Sequence, residues 1–199
     1  MSKLPRAILF DLDGVLVDSY WVWLNLLNHV ARVHDYPEIT NDVYETGWGQ
    51  STTADRDAFF PNHTVSEVEA FYDEHYFEHL EHMRVAPEVP KVFSRLKELG
   101  IASAVCTNTQ ASLAKEIVQR TGATPEHIVG GNDVPKPKPA PDMLLRACEL
   151  LEVKTDAAWM IGDSRYDRDA ARAARIHFVG VRFDGDQRIE ALGELVDRL

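Results

Sequence analysis

Residues 7–17 read Ala7-Ile8-Leu9-Phe10-Asp11-Leu12-Asp13-Gly14-Val15-Leu16-Val17, and the fold class turns on this stretch. The four apolar residues 7–10 have the length of a buried strand. Two carboxylates, Asp11 and Asp13, follow where that strand should end, and Gly14 lets the chain turn away. In an open α/β sheet, ligands collect at the carboxyl ends of the strands. Two acids at such a point suit a divalent cation and a phosphate. An Asp pair in a loop is usually turn-forming or solvated, so the reading rests on what the other strand ends supply.

The bulk properties narrow the field. With 199 residues the chain can hold one core of ordinary size and an inserted subdomain. A net charge of -11 argues against a nucleic-acid backbone as partner. No apolar run approaches the roughly 18 residues of a membrane span, and the start lacks a signal-peptide profile. The two cysteines, Cys106 and Cys148, fit a reduced protein, and a cytoplasmic location is expected. The charge is unevenly placed. Residues 16–84 hold thirteen acids against three arginines (Arg32, Arg56, Arg84) and no lysine, a net of -10, while the remainder is close to neutral. Such a shift marks two bodies.

Within residues 16–84, Asp18 or Ser19 is placed to cap a helix in which Trp23, Leu26, Leu27, Val30 and Ala31 recur at helical spacing. Pro37 closes that region, residues 46–53 read as a loop around Trp48, and residues 66–83 read as a second helical stretch. The segment is expected to be a small helical subdomain without strands. From Pro87 onward, strands alternate with helices. Apolar runs at 101–106, 127–129, 158–161 and 178–181 are separated by helical patterns that close at Gly100 and Gly122 or open at Pro141, and a last helix follows. The alternation predicts an α/β, Rossmann-like parallel sheet with helices on both faces.

The strand ends supply chemistry in turn. After 101–106 come Thr107 and Asn108. After 127–129 comes a stiff, lysine-bearing loop, Pro135-Lys136-Pro137-Lys138-Pro139-Ala140-Pro141. After 158–161 comes Gly162-Asp163-Ser164-Arg165-Tyr166-Asp167. Each is bland alone. Together they bring carboxylates, a hydroxyl and a cation to one edge of one sheet.

These four motifs, in this order, resemble the haloacid dehalogenase superfamily, in its phosphoglycolate-phosphatase-like branch with a helical cap inserted after the first strand. The resemblance spans the core, 1–15 and 85–199, while residues 16–84 match only in position and helical character. It implies a Mg²⁺-dependent phosphatase acting on a small phosphorylated metabolite, as monomer or homodimer. Asp11 would be the nucleophile and form an aspartyl phosphate. Asp13 would protonate the leaving oxygen and later deprotonate water. Mg²⁺ would sit between Asp11, the backbone carbonyl of Asp13 and Asp163, with Asp167 orienting a metal-bound water or Lys138. Thr107 and the Asn108 backbone would hold phosphate oxygens, and Lys138 would set a positive charge against phosphate and Asp11.

Lys136 and Lys138 both fit Lys-Pro-x-Pro. Lys138 is preferred because the motif then runs directly into a helix. Arg175 stands where relatives typically carry glycine, a change expected to concern a helix end. His75, His79 and His82 share one helical face and read as solvated, and Cys106 reads as a small packing residue. Trp48 and Gln50, beside the glycines of the cap loop, are candidates for touching substrate. A β-phosphoglucomutase-like phosphomutase shares every core motif, but its cap must hold a second phosphate, and residues 16–84 are poor in cations. Asp13 argues against dehalogenation. The absence of lysine from 16–84 argues against phosphonate hydrolysis through a Schiff base. A catalytically inactive binding protein is the reading from another class, and intact Asp11, Asp13, Lys138 and Asp163 speak against it.

Overall fold

The computed structural model describes residues 4–199. Along the chain, β1 (Ala7–Phe10) is followed by a short strand β2 (Val17–Asp18) and four helices, α1 (Tyr20–Val33), α2 (Asn41–Gly47), α3 (Thr52–Phe59) and α4 (Val65–His75). A 3₁₀ segment (Tyr76–His82) and the short strand β3 (Arg84–Val85) complete this region. Alternation then begins: α5 (Val89–Leu99), β4 (Ala102–Cys106), α6 (Ala111–Thr121), β5 (His127–Val129), α7 (Asp142–Leu150), β6 (Ala158–Gly162), α8 (Arg165–Ala174) and β7 (His177–Val181). The chain ends with β8 (Gln187–Ile189) and α9 (Glu194–Arg198).

Six strands form one parallel sheet in the order β5-β4-β1-β6-β7-β8. The connection leaves β1 towards β4 on one side and reaches β6 on the other, so the sheet has its switch point at β1, where an open α/β sheet has its binding crevice. All four residues of β1 are fully buried, as a strand covered on both faces requires. Ile8 and Phe10 point into a core shared with α5, α6, α9 and the helical insert. Ala7 and Leu9 point the other way, against α7 and α8. This is the period of two in side-chain direction along a strand. The expected α/β sheet with helices on both faces is what forms.

Three local expectations need correction. Residues 46–53 are not one loop, because α2 runs into them and α3 starts at Thr52, leaving only 48–51 between. Both helices are short, and α3 buries the polar Thr52 and Asp55 rather than an apolar stripe, so there is no hydrophobic period to read. The insert also contains strands: Val17 pairs with Val85 and Asp18 with Arg84, antiparallel, where the chain leaves and re-enters the sheet domain. Finally, β8 is a three-residue strand at the sheet edge, and such short edge strands carry little sequence signal.

Helix α8 ends at Arg175, whose φ of 57° and ψ of 41° are left-handed, the conformation in which a Cβ crowds the following carbonyl oxygen. Arg175→Gly should therefore stabilise the protein by about 1 kcal/mol, which for a chain of this length raises Tm by roughly 2–4 °C. Differential scanning calorimetry checks this, and an unchanged or lower Tm would mean that the arginine side chain repays its own strain.

Candidate active site

Register brings the motifs together. Phe10 lies opposite Val105 on one side and Ile161 on the other, so the residues that follow these three strands emerge at one level. The Asp11 N–H donates to the Ile161 carbonyl at 2.9 Å, which ties the first loop to the end of β6. Gly14 sits at φ +79°, and a Cβ there would run into the Asp163 carboxylate. A glycine is needed at this position on both counts.

Lys138 stands at the centre. Its Nζ is 2.8 Å from Asp11 Oδ1 and 2.6 Å from Asp167 Oδ1, and only 2 % of the residue is exposed. Lys136 is exposed, so it is Lys138 that the loop turns inward. Asp167 in turn accepts from the Ser164 N–H at 3.1 Å and the Ser164 hydroxyl at 2.5 Å, as part of a capping box that starts α8. Carboxylate oxygens of Asp11, Asp163 and Asp167 all lie within 4.8 Å of one another.

So many acids in a buried place perturb one another. Burial, then the charge of Asp167, pushes the Asp11 carboxyl well above its ordinary value, against the pull of Lys138. Burial, then Asp167, pushes Asp163 up to about 7. Burial works to lower the Lys138 ammonium, but Asp11 and Asp167 outweigh it and hold it above its ordinary value.

The Asp13 side chain turns away from that trio towards the insert. Its Oδ1 accepts from the Ser19 hydroxyl at 2.5 Å and the Trp23 indole N–H at 2.8 Å, and its Oδ2 from Thr109 at 2.9 Å and Thr107 at 3.5 Å. Ser19 holds the N-cap position of α1, as expected, but spends its hydroxyl on Asp13 rather than on the helix. Asn108 donates its side-chain amide N–H groups to the carbonyls of Gly49 and Lys138, so it bridges the insert and the lysine loop, while its Oδ1 is buried without a hydrogen-bond partner among the described residues.

Both insert candidates face this cavity. Trp48 donates its indole N–H to Asp163 Oδ2 at 3.0 Å. Gln50 lines the same cavity but reaches Asp55 Oδ1, at 2.8 Å. Sequence reasoning missed Ser19, Trp23, Asp55, Tyr72 and Thr109. Trp23 was legible only as one member of an apolar stripe, although it stands one turn after Ser19 and so on the same helix face.

Other residues lie elsewhere. His75 and His79 are not simply solvated: they pack against His29, with ring centroids 4.6 and 5.7 Å away, while His82 is exposed beside Glu81. Cys106 and Cys148 are buried free thiols in the same core cluster. Burial pushes both up, Cys148 to about 11.

Among known proteins, the sequence profile described as "Haloacid dehalogenase-like hydrolase" matches residues 8–181. The phosphoglycolate phosphatase of Neisseria meningitidis is 32% identical over 189 residues, covering 89% of this chain and 80% of that protein. The N-acetylmuramic acid 6-phosphate phosphatase of Pseudomonas aeruginosa is 27% identical over 188 residues, covering 89% and 82%. Among solved structures, CbbY from Rhodobacter sphaeroides in complex with phosphate superposes with a TM-score of 0.83, covering 96% of each chain at 20% identity.

Lys138 neutralises acids that cannot otherwise be buried, so its removal has a signed consequence. Lys138→Met should destabilise the protein by about 3 kcal/mol at pH 8, the usual scale for breaking a buried pair from one side. The deficit should shrink towards pH 5, because the abandoned carboxylates then take up protons. Urea unfolding at the two pH values measures both, and a loss independent of pH would assign the cost to packing instead.

Proposed function

The chain belongs to the haloacid dehalogenase-like hydrolase family, and from that premise we propose that it is a Mg²⁺-dependent phosphatase, hydrolysing a small phosphomonoester through an aspartyl phosphate. The observation that carries this reading is the buried Lys138 between Asp11 and Asp167, beside Asp163 and Asp13, at the ends of adjacent strands. Asp11 Oδ1 is occupied by Lys138 and by the Leu12 N–H at 2.8 Å. Oδ2 is left to attack phosphorus. The ester oxygen leaves with a proton from Asp13, whose four donors fix its orientation. Asp13 then takes a proton from water as that water attacks the aspartyl phosphate, which restores Asp11 and releases phosphate. Thr107, the Asn108 backbone and Lys138 hold the phosphoryl oxygens where charge develops.

The donor set fits a magnesium ion. Three carboxylates, two of them buried and Asp163 partly so, converge with one ammonium among them, and hard, anionic oxygens are what Mg²⁺ takes. Asp11 and Asp163 would hold it, together with the Asp13 carbonyl, and Asp167 would serve from behind through Lys138 and Ser164. When bound, the ion offsets phosphate charge so that an anionic nucleophile can approach.

Residues 16–84 act in this reading as a cap that excludes water, with Trp48, Trp23 and Asn108 joining it to the catalytic edge. No lysine, arginine or histidine lines the cavity between cap and core among the described residues. A second phosphate therefore finds no cationic partner there, which favours a phosphatase over a phosphomutase.

Purified protein with Mg²⁺ should release phosphate from p-nitrophenyl phosphate, and Asp11→Asn should lower kcat on the order of 10³-fold or more with its circular dichroism unchanged. Wild-type turnover undiminished by chelator, or by this substitution, would refute the mechanism. The metal has a separate readout. Because the Asp163 carboxyl is pushed up to about 7, it must shed a proton to bind a cation below that pH. The rise in Tm on adding Mg²⁺ should therefore be larger at pH 8 than at pH 6. Equal shifts at both would remove Asp163 from the ligand set.

A further inference from the structure

The wall of the cavity opposite the catalytic edge has a composition that the phosphatase chemistry does not require. Two aromatic pairs face it, both from the insert. Trp23 and Tyr72 meet edge to face with centroids 5.2 Å apart, and Tyr44 and Trp48 with centroids 5.9 Å apart. Between these elements lies Asp55, 8 % exposed, whose Oδ1 accepts from Gln50 at 2.8 Å and whose Oδ2 accepts from the Tyr72 hydroxyl at 3.1 Å. A carboxylate set into an aromatic wall, with no basic residue lining the cavity among the described residues, is chemically matched to a cation. Aromatic faces attract ammonium groups through their quadrupoles, most strongly where water is excluded, and a buried anion is stabilised by an opposite charge brought into contact.

We propose that this wall is an ammonium-binding cage, and that the substrate is a phosphomonoester whose alcohol carries a quaternary or substituted ammonium group a short alkyl chain away. The proposal rests on the phosphatase reading for its orientation: the phosphate lies at Asp11 and the ammonium group between Trp23, Tyr44, Trp48 and Tyr72, against Asp55. Trp23 spans the two ends, because its N–H holds Asp13 while its ring belongs to the cage. The leaving oxygen therefore lies next to the cage, and the spacer is short. Gln50 and Tyr72 fix the Asp55 carboxylate by donating to it, and these donors oppose burial, which pushes its carboxyl up to about 6. Above that pH the empty cage contains a buried anion without an ion-pair partner among the described residues. The same anion repels a carboxylate-bearing leaving group such as that of phosphoglycolate.

The decisive comparison is phosphocholine against 3,3-dimethylbutyl phosphate, its uncharged isostere, with phosphoglycolate as the anionic counterpart. In the wild type, kcat/KM should favour phosphocholine over the isostere by roughly tenfold or more, and phosphoglycolate should be used least. Asp55→Asn, which keeps both hydrogen-bonding neighbours, should bring the ratio of phosphocholine to isostere close to one. Equal use of the two esters by the wild type, or preference for phosphoglycolate, overturns the cage without recourse to any variant. Calorimetric binding of the same three compounds to the wild type with Mg²⁺ separates the two proposals. Selective binding of phosphocholine without turnover of any ester supports the cage and refutes the phosphatase. Turnover of p-nitrophenyl phosphate without selectivity in binding or rate does the reverse.

Discussion

Four aspartates, Asp11, Asp13, Asp163 and Asp167, meet at one edge of a parallel sheet with a single buried ammonium, Lys138, among them. Charges of one sign so close together in a poorly solvated place are costly, and much of the local structure is arranged to hold them there. Lys138 answers two of them directly. The Ser164 capping box fixes the other oxygen of Asp167. Asp13 is stabilised separately, by four neutral donors from two segments, the start of α1 and the loop after β4. Gly14 clears the space that Asp163 occupies. In the proposed reading, the surplus negative charge that remains suits the edge to a cation, and through that cation to a phosphoryl group.

The legible part of this arrangement is the part written locally. A parallel strand buried on both faces must be an apolar run, so β1, β4, β6 and β7 stand out, and the motifs after β1, β4 and β6 follow their strands directly in the sequence. The lysine required more than sequence. Lys136 and Lys138 have nearly identical surroundings in the chain, and only burial between Asp11 and Asp167 distinguishes them. The insert was hardest to read. α2 and α3 are too short and too polar at their buried positions to show a period, and the β2–β3 pairing joins residues far apart in sequence. Trp23 illustrates the general difficulty: at helical spacing among leucines it reads as core, and its ring is indeed packed, but its indole N–H is turned to Asp13.

The division of labour between sheet edge and insert follows from what each element can hold steady. Loops anchored at strand ends are rigid at their roots, and the chemistry stands there. The insert contributes large rings that make extensive contact with little side-chain entropy to lose. It also contributes the N–H groups of two indoles, which reach two different carboxylates of the sheet domain. Docking of the insert and orientation of the acids are thus joined through hydrogen bonds as well as through shape.

The two-stranded β2–β3 ribbon has a meaning beyond this one molecule. Because Val17 lies opposite Val85 and Asp18 opposite Arg84, the chain departs from and returns to the sheet domain at a single doorway, its two strands an ordinary ladder spacing apart. Everything between is a cassette. It can lengthen, shrink or be exchanged for another without moving a strand of the sheet, much as a domain is inserted at a surface turn whose ends already meet. In the proposed reading, evolution can in this way rewrite the cap while the sheet edge stays as it is. A laboratory graft of a foreign insert should join at 17–18 and 84–85.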